Sequence, residues 1–150
     1  AAAIGWPALP HLLIERQVQT PTADRAQAAA LWAARDSLYP VLARAGHPVI
    51  EDPCLDAAGL AELLPWLTEQ DIPVFGHLGA GIIHPCYRSA ADPRIAELYA
   101  RVAAAGGAVS GEHGVGLKKQ RWLRPGWRDA AQALKQTYDP GRIINRGKPC

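Results

Sequence analysis

Two short stretches carry the residues in this sequence that are suited to chemistry. The first is GHLGAGIIHP at residues 76–85, and the second is SGEHGVG at residues 110–116. Between them they hold His77, His84 and His113, three of the five histidines, together with Glu112. Imidazole and carboxylate groups on glycine-rich backbone are typical of a divalent-metal site or of a site for proton transfer.

Short apolar runs beside both stretches predict the strands that would carry these side chains. Residues 74–77 and 81–84 are predicted to form a hairpin through a tight turn at residues 79–81. Residues that flank a turn pair across it, so the rings of His77 and His84 are expected close together on one face. Glu112 follows another predicted buried strand, at residues 108–111, where a carboxylate is costly unless it is paired or binds a cation.

Two imidazoles and one carboxylate form a three-ligand set with one open position, as in catalytic zinc sites. In that arrangement His113 would be free to act as a base. A purely structural role stays open as well, because an isolated histidine pair is more often one exposed ring and one core ring. The glycines would also serve as plain turn residues. The absence of a Lys-Ser/Thr pair or an obvious long helix after either loop argues against a nucleotide-binding fingerprint.

Composition excludes several classes of protein. The chain has 150 residues, so it is one domain or a piece of a larger one, and 49% apolar residues are ample for a core. A net charge of +2 is too small to indicate nucleic acid as a partner. Three dispersed cysteines without a C-x-x-C pair favour a reducing, cytoplasmic compartment. The start at Ala1 and the lack of methionine lead us to expect a fragment of a longer polypeptide.

A basic run lies downstream of the second stretch. Its members are Lys118, Lys119, Arg121, Arg124 and Arg128. It is expected to be a solvated face, and the alternative is a docking surface for an anionic ligand or partner.

No apolar run in the sequence reaches the roughly 20 residues that a membrane-spanning helix needs.

The elements that must position these residues alternate between strands and helices. Strands are predicted at residues 12–15 and 48–51 in addition to those above. A first helix is expected to begin at Thr22, with Asp24 in its first turn, and to bend or end at Pro40. A second helix would be capped by Asp56, and its core-facing stripe is formed by Leu60, Leu63, Leu64 and Leu67.

Two further helices complete the predicted order. One begins at Asp92-Pro93 and ends at the Gly106-Gly107 pair, with a stripe of Ile95, Leu98, Tyr99 and Val102. The other covers residues 129–138 and is followed by a turn at residues 139–141. The order predicts an α+β fold, with a mixed or antiparallel sheet and helices on one face.

Both stretches, with residues 106–109 and the tail at Asp139-Pro140 and residues 145–148, resemble the C-terminal part of FAD-linked oxidases. This is the vanillyl-alcohol oxidase superfamily, in the branch of D-lactate dehydrogenase, the glycolate oxidase flavin subunit and D-2-hydroxyglutarate dehydrogenase. The LWAAR segment at residues 31–35 and Glu51-Asp52 resemble two further landmarks of that domain. The resemblance covers residues 12–148, and its GEHGVG segment is highly specific.

The resemblance implies a two-part enzyme of which residues 1–150 are the truncated, ferredoxin-like C-terminal cap and substrate domain. The FAD-binding domain would precede this chain and would be its partner. A further implied partner is an iron–sulfur or other electron-acceptor subunit, through which this protein would be peripheral on the inner membrane. The substrate would be a small 2-hydroxy acid similar to D-lactate or glycolate, oxidised by hydride transfer to the flavin.

The resemblance also implies a role for individual residues. The ligands of a divalent zinc, manganese or iron ion would be His77, His84 and Glu112. His113 would take the proton of the substrate hydroxyl, and Arg35 would pair with the substrate carboxylate. The flavin would lie near Asn145 and Lys148.

The chain departs from the family pattern around these residues. Ala80 replaces an aspartate of the usual loop, Ile82 replaces an asparagine, and Cys86 stands where an asparagine that helps to bind substrate is common. Ile50 occupies a position that is lysine in the hydroxyglutarate enzymes, and Arg146 replaces a proline. Two alternatives therefore stay open: a degenerate, non-catalytic cap that assembles with a separate flavoprotein, and an unrelated metallohydrolase with the same His-His-Glu set.

Overall fold

The computed structural model describes residues 25–148. The strand predicted at residues 12–15 and the helix start at Thr22 and Asp24 lie outside these residues. The first described element is the helix α1, Arg25–Arg44, which contains Pro40. Pro40 therefore does not end the helix, which continues for one more turn before Gly46 takes a positive φ of 92°.

The sheet is small and antiparallel. Its strands in chain order are β1 (Val49–Ile50), β2 (Val74–His77) and β3 (Ile82–Tyr87), and β3 lies between the other two. Ile50 pairs with Cys86, and Glu51 continues the contact by donating its backbone N–H to the carbonyl of Pro85 at 3.0 Å. Within the described part of the chain, four α-helices and these three strands confirm the predicted α+β class.

Two helices cover the core side of the sheet. They are α2 (Ala57–Glu69) and α3 (Arg94–Ala104), and they contact each other. Asp56 caps α2 as predicted, because its carboxylate accepts the N–H of Gly59 at 2.8 Å. The predicted stripes are the buried ones, apart from Leu64, which is half-buried. The core consists of Leu55, Leu60, Leu63, Trp66, Leu67, Ile72, Ile83, Tyr87, Ile95, Leu98, Tyr99, Val102 and Val109.

The strand predicted at residues 108–111 is wrong. Only Ala108 makes a bridge, through two hydrogen bonds with the backbone of Cys54 at 2.8 and 2.9 Å. Beyond it, the backbone N–H groups of residues 111–113 bond to the side chain of Asp52 instead of to a neighbouring strand. A side-chain acceptor has therefore replaced the partner strand that the apolar pattern predicted.

The last helix, α4 (Trp127–Tyr138), begins two residues earlier than predicted. It is followed by the predicted turn, in which Arg142 donates its N–H to the carbonyl of Asp139 at 2.9 Å. Among the described residues, no helix combines the length and the apolar character that crossing a membrane requires.

Candidate functional site

The hairpin formed by β2 and β3 supplies two of the histidines. Phe75 pairs with His84 and His77 pairs with Ile82, so the two imidazoles are diagonal neighbours on one face of the hairpin. Their ring centroids are 5.4 Å apart with the planes nearly perpendicular. His84 is 3% exposed, whereas His77 is half-buried. The hairpin thus presents one fixed ring and one more accessible ring.

The turn of the hairpin is locked by Gly81. This residue has a left-handed φ of 72°, and a Cβ there would lie 2.1 Å from the carbonyl oxygen of Leu55. Leu55 in turn donates its N–H to the carbonyl of Gly81 at 2.9 Å. Only glycine combines this φ with so close a backbone contact, which fixes the hairpin, and its histidines, against the start of α2.

The loop after α3 supplies the carboxylate and the third ring. Its residues 110–113 curl around the buried side chain of Asp52, and this orients Glu112 toward the hairpin. Gly111 allows the loop to lie flat on the hairpin, because a Cβ at that position would be 2.6 Å from Cγ1 of Ile82. Ile82, one of the departures from the family pattern, is therefore the residue on which the Glu112 loop packs.

The four side chains converge on one point. Oε1 of Glu112 lies 2.9 Å from Nε2 of His84 and 3.4 Å from Nε2 of His77. One potential ligand atom from each of these three residues lies within 4.8 Å of the others. His113 stacks on His84 with ring centroids 5.1 Å apart, and its Nε2 is 3.7 Å from Glu112.

The donor set fits a divalent cation. A tetrahedral zinc ion with bonds of about 2.0–2.1 Å would hold its ligand atoms about 3.4 Å apart. Oε1 of Glu112 lies 3.4 Å from Nε2 of His77, and its 2.9 Å distance to Nε2 of His84 is that of a hydrogen bond, which a bound cation would replace. Burial is the main cause that lowers the pKa of His84, against the opposing effect of the Glu112 carboxylate. The lowered pKa favours the neutral imidazole, which is the form that binds metals.

The ligand-forming atoms face a cavity of about 360 Å³. Its described lining includes both polar side chains, Arg35 among them, and largely apolar ones. Arg35 is half exposed, donates to Asp36 at 3.0 Å and lies over the ring of Trp32 at 5.3 Å. The lining residues are Arg35, Asp36, Leu38, Tyr39, Ile50, Phe75, Gly76, His77, His84, Glu112 and His113.

The structure does not gather every predicted site residue. Asn145 and Lys148 lie in the tail after α4 and do not line the cavity. Cys86 is also absent from the cavity wall. It is 1% exposed, its thiol donates to the carbonyl of His84 at 3.4 Å, and burial raises its pKa to about 12. A neutral, buried thiol at this position packs against the core rather than binding a ligand.

Sequence reasoning missed the polar cluster behind the loop. Lys119 was expected on a solvated face, and this is wrong, because its ammonium contacts the carboxylate of Asp52 and lies 3.5 Å from Glu51. Tyr99 donates its hydroxyl to Glu51 from the other side. Burial alone would raise the pKa of Asp52, but hydrogen bonds from Lys119 and from the backbone of His113 and Glu112 outweigh it and lower that pKa.

Comparison with known proteins identifies the family to which the chain belongs. Residues 11–149 match the family described as FAD linked oxidases, C-terminal domain. The chain is 31% identical to the protein named glycolate oxidase subunit GlcD of Bacillus subtilis (strain 168), over 87% of this chain and 32% of that protein. It is 30% identical to a protein named D-lactate dehydrogenase of Anaerostipes hadrus, over 79% of this chain and 30% of that protein. The chain therefore spans about a third of the length of these curated relatives.

Proposed function

The chain belongs to the C-terminal domain family of FAD-linked oxidases, and we propose that it is the substrate- and metal-binding part of a flavin-dependent 2-hydroxy acid dehydrogenase. The observation that carries the proposal is the convergence of His77, His84 and Glu112 at the wall of one cavity. The family accounts for the flavin, which would be held mainly by a part of the enzyme outside this chain. The substrate class follows from the resemblance and from the names of the relatives, whereas the metal is inferred from this chain's own side chains.

His77, His84 and Glu112 would hold a divalent cation and leave its remaining positions open toward the cavity. When bound there, such a cation lowers the pKa of a coordinated hydroxyl group, and a bound flavin accepts hydride. Because His84 is buried and His113 stacks on it, the second ring is held beside the ligands without belonging to the three-residue set. His113 is also about half exposed, which leaves it able to exchange a proton with solvent.

His113 is the residue that we assign as the general base. It would remove the hydroxyl proton of the substrate at its Nε2 atom, 3.7 Å from the Glu112 carboxylate. The electron pair of the substrate C–H bond would leave as hydride to the flavin, so that the alcohol carbon becomes a carbonyl carbon as the proton passes to His113.

The cavity wall supports a substrate with one carboxylate. Among the described residues that line the cavity, Arg35 is the cationic side chain apart from the histidines, and its guanidinium would pair with a carboxylate. The largely apolar side chains among the described lining residues carry no positive charge that would neutralise a second acid. A small 2-hydroxy acid with an apolar substituent satisfies both parts of the wall. The apolar residues are Leu38, Tyr39, Ile50 and Phe75.

The experiment is metal analysis combined with turnover, on the full-length protein. We expect about one equivalent of divalent metal in the wild type and its loss in Glu112→Gln, while Glu62→Gln, an exposed carboxylate on α2, keeps it. Oxidation of D-lactate or glycolate should be lost in His113→Ala although the metal content is retained. A Glu112→Gln protein that retains stoichiometric metal would refute the ligand assignment.

The same experiment distinguishes the non-catalytic alternative. A degenerate cap that only assembles with another flavoprotein would show no turnover with any 2-hydroxy acid. The packing of Ile82 under Gly111 favours the enzyme, because the substituted position supports the Glu112 loop instead of leaving it without a contact. Turnover that depends on His113 would remove the alternative.

A further inference from the structure

Five groups of the protein donate hydrogen bonds to one fully buried carboxylate, that of Asp52. One oxygen, Oδ2, accepts four of them, three from consecutive backbone N–H groups. Its partners are the hydroxyl of Ser110 at 2.8 Å and the N–H groups of Gly111, Glu112 and His113 at 3.1, 3.0 and 2.7 Å. The other oxygen, Oδ1, accepts from the ammonium of Lys119.

This contact dictates the shape of the loop. Three successive N–H groups that point at one atom force the backbone to curl around it, so the side chains project away from Asp52. The backbone carbonyl of Asp52 adds to the same contact, because it accepts the N–H of Gly111 at 2.7 Å. Both Glu112 and His113 are thereby fixed by one residue that lies about 60 positions earlier in the chain.

We propose that Asp52 is the positioning residue of the site, which holds the Glu112 carboxylate and the His113 ring in register with the two histidines of the hairpin. The inference rests on the proposed function, since the side chains that Asp52 positions are the assigned ligand and base. Asp52 touches neither the cavity nor the ligand atoms. It acts through the backbone of the loop, as residues behind a ligand commonly do.

Lys119 has a separate task in this arrangement. A buried carboxylate needs a compensating charge, and the Lys119 ammonium supplies it. The positioning itself comes from the acceptor oxygen and would survive without either charge. This division allows the two contributions to be tested independently.

The decisive comparison is between two double variants of the full-length protein. Asp52→Asn with Lys119→Met removes both charges but keeps an oxygen that accepts the three N–H groups. Asp52→Leu with Lys119→Met removes the same two charges and is similar in size, but it has no acceptor; Glu51 loses its cation in both variants, so that loss cancels in the comparison. We expect the first to keep its Zn²⁺ affinity within a few-fold of wild type and the second to lose about 10–100-fold. Equal affinities in two folded proteins would overturn the proposal.

A measurement on the unaltered protein remains decisive if the leucine variant does not fold. Residue-resolved hydrogen exchange should show slow amides at Gly111, Glu112 and His113, although all three residues are exposed, and faster exchange at Gly114. Similar rates at all four positions would contradict the role of Asp52. If the wild type binds no Zn²⁺ but the three amides are slow, the metal assignment fails while the positioning of the loop stands.

Discussion

Two loops of this domain are each held by a buried aspartate, and they differ in how far that aspartate lies along the chain. Asp52 accepts N–H groups from residues 59 to 61 positions away, whereas Asp139 accepts those of Ile143 and Ile144, four and five positions away. A lysine accompanies each carboxylate, Lys119 in the first loop and Lys135 in the second. Both loops use a buried carboxylate that accepts backbone N–H groups and pairs with a lysine. They differ in the number of residues between the aspartate and the N–H groups it accepts.

The difference separates a loop that closes over a few residues from one that closes over about 60. The Asp139 turn closes over a few residues, so its entropic cost is small and local contacts are sufficient. The Asp52 loop requires the chain to close over about 60 residues, so it forms only when β1, β3 and α3 are packed. The loop that carries the candidate chemistry therefore depends more strongly on the packing of the core than the Asp139 turn does.

The largest loss of folding stability is expected from Lys119→Met. The change leaves the carboxylates of Asp52 and Glu51 buried side by side without their cation, because their side chains are only 0% and 13% exposed. Breaking a buried pair in this way costs about 3–5 kcal/mol of unfolding free energy. Urea denaturation of wild type and variant at neutral pH measures this loss of unfolding free energy. Lys118→Met, at the exposed neighbouring residue, should change the stability by less than about 0.5 kcal/mol.

A smaller effect, on binding rather than folding, is expected from Gly111→Ala. The added Cβ meets Ile82 at 2.6 Å and pushes the loop away from the hairpin, so we expect about a 10–100-fold loss of Zn²⁺ affinity. Gly79→Ala is the control, because nothing lies within 4 Å of a Cβ there.

Combining Gly111→Ala with Ile82→Ala removes the side-chain atoms with which the new methyl group collides. Competition with a chromophoric chelator should show part of the lost affinity restored. If the double variant binds Zn²⁺ no better than Gly111→Ala alone, overlap with Ile82 is not the cause of the loss.

The contribution of the Asp139 turn to folding stability should depend on pH. Burial would raise the pKa of Asp139, but the N–H groups of Ile143 and Ile144 and the ammonium of Lys135 lower it overall. A carboxylate with a lowered pKa in the folded state stabilises the protein above its unfolded pKa of about 3.9 and ceases to do so as the pH falls through the folded pKa. The stability difference between wild type and Asp139→Asn should therefore shrink as the pH is lowered from about 7 to about 3. A constant difference across that range would contradict this account.

The same distinction explains which features the sequence reveals. The His77–His84 hairpin, the Asp56 cap and the stripes of α2 and α3 depend on residues within a few positions of one another, and each was predicted. The role of Asp52 and the burial of Lys119 depend on partners 67 residues apart, which no local pattern reports. The missing strand at residues 108–111 has the same origin, because an apolar run specifies burial but not which acceptor receives its N–H groups.

The roles of the candidate site follow this division as well. The sequence indicated His77, His84, Glu112 and His113 by residue type, and the fold brings all four together. Their roles as ligands and base, and that of Arg35 at the substrate carboxylate, stay predictions. The predicted position of Asn145 and Lys148 near the flavin also stays a prediction. The flavin would be held mainly by a part of the enzyme outside this chain.

Asp56 provides the smallest case, a carboxylate that accepts a single N–H group, that of Gly59, at an exposed helix start. It has neither the burial nor the lysine of Asp52, so Asp56→Ala should cost only about 1 kcal/mol of unfolding free energy, whereas Asp56→Ser, which retains a capping oxygen, should cost a few tenths. Because the Asp56 side chain bonds to Gly59 within α2, and both changes leave the backbone contact between Leu55 and Gly81 in place, neither change should alter Zn²⁺ affinity. A loss of affinity in Asp56→Ala that matches that of Gly111→Ala would mean that any weakening of the core disturbs the site. Asp52 would then have no positioning role beyond its contribution to stability.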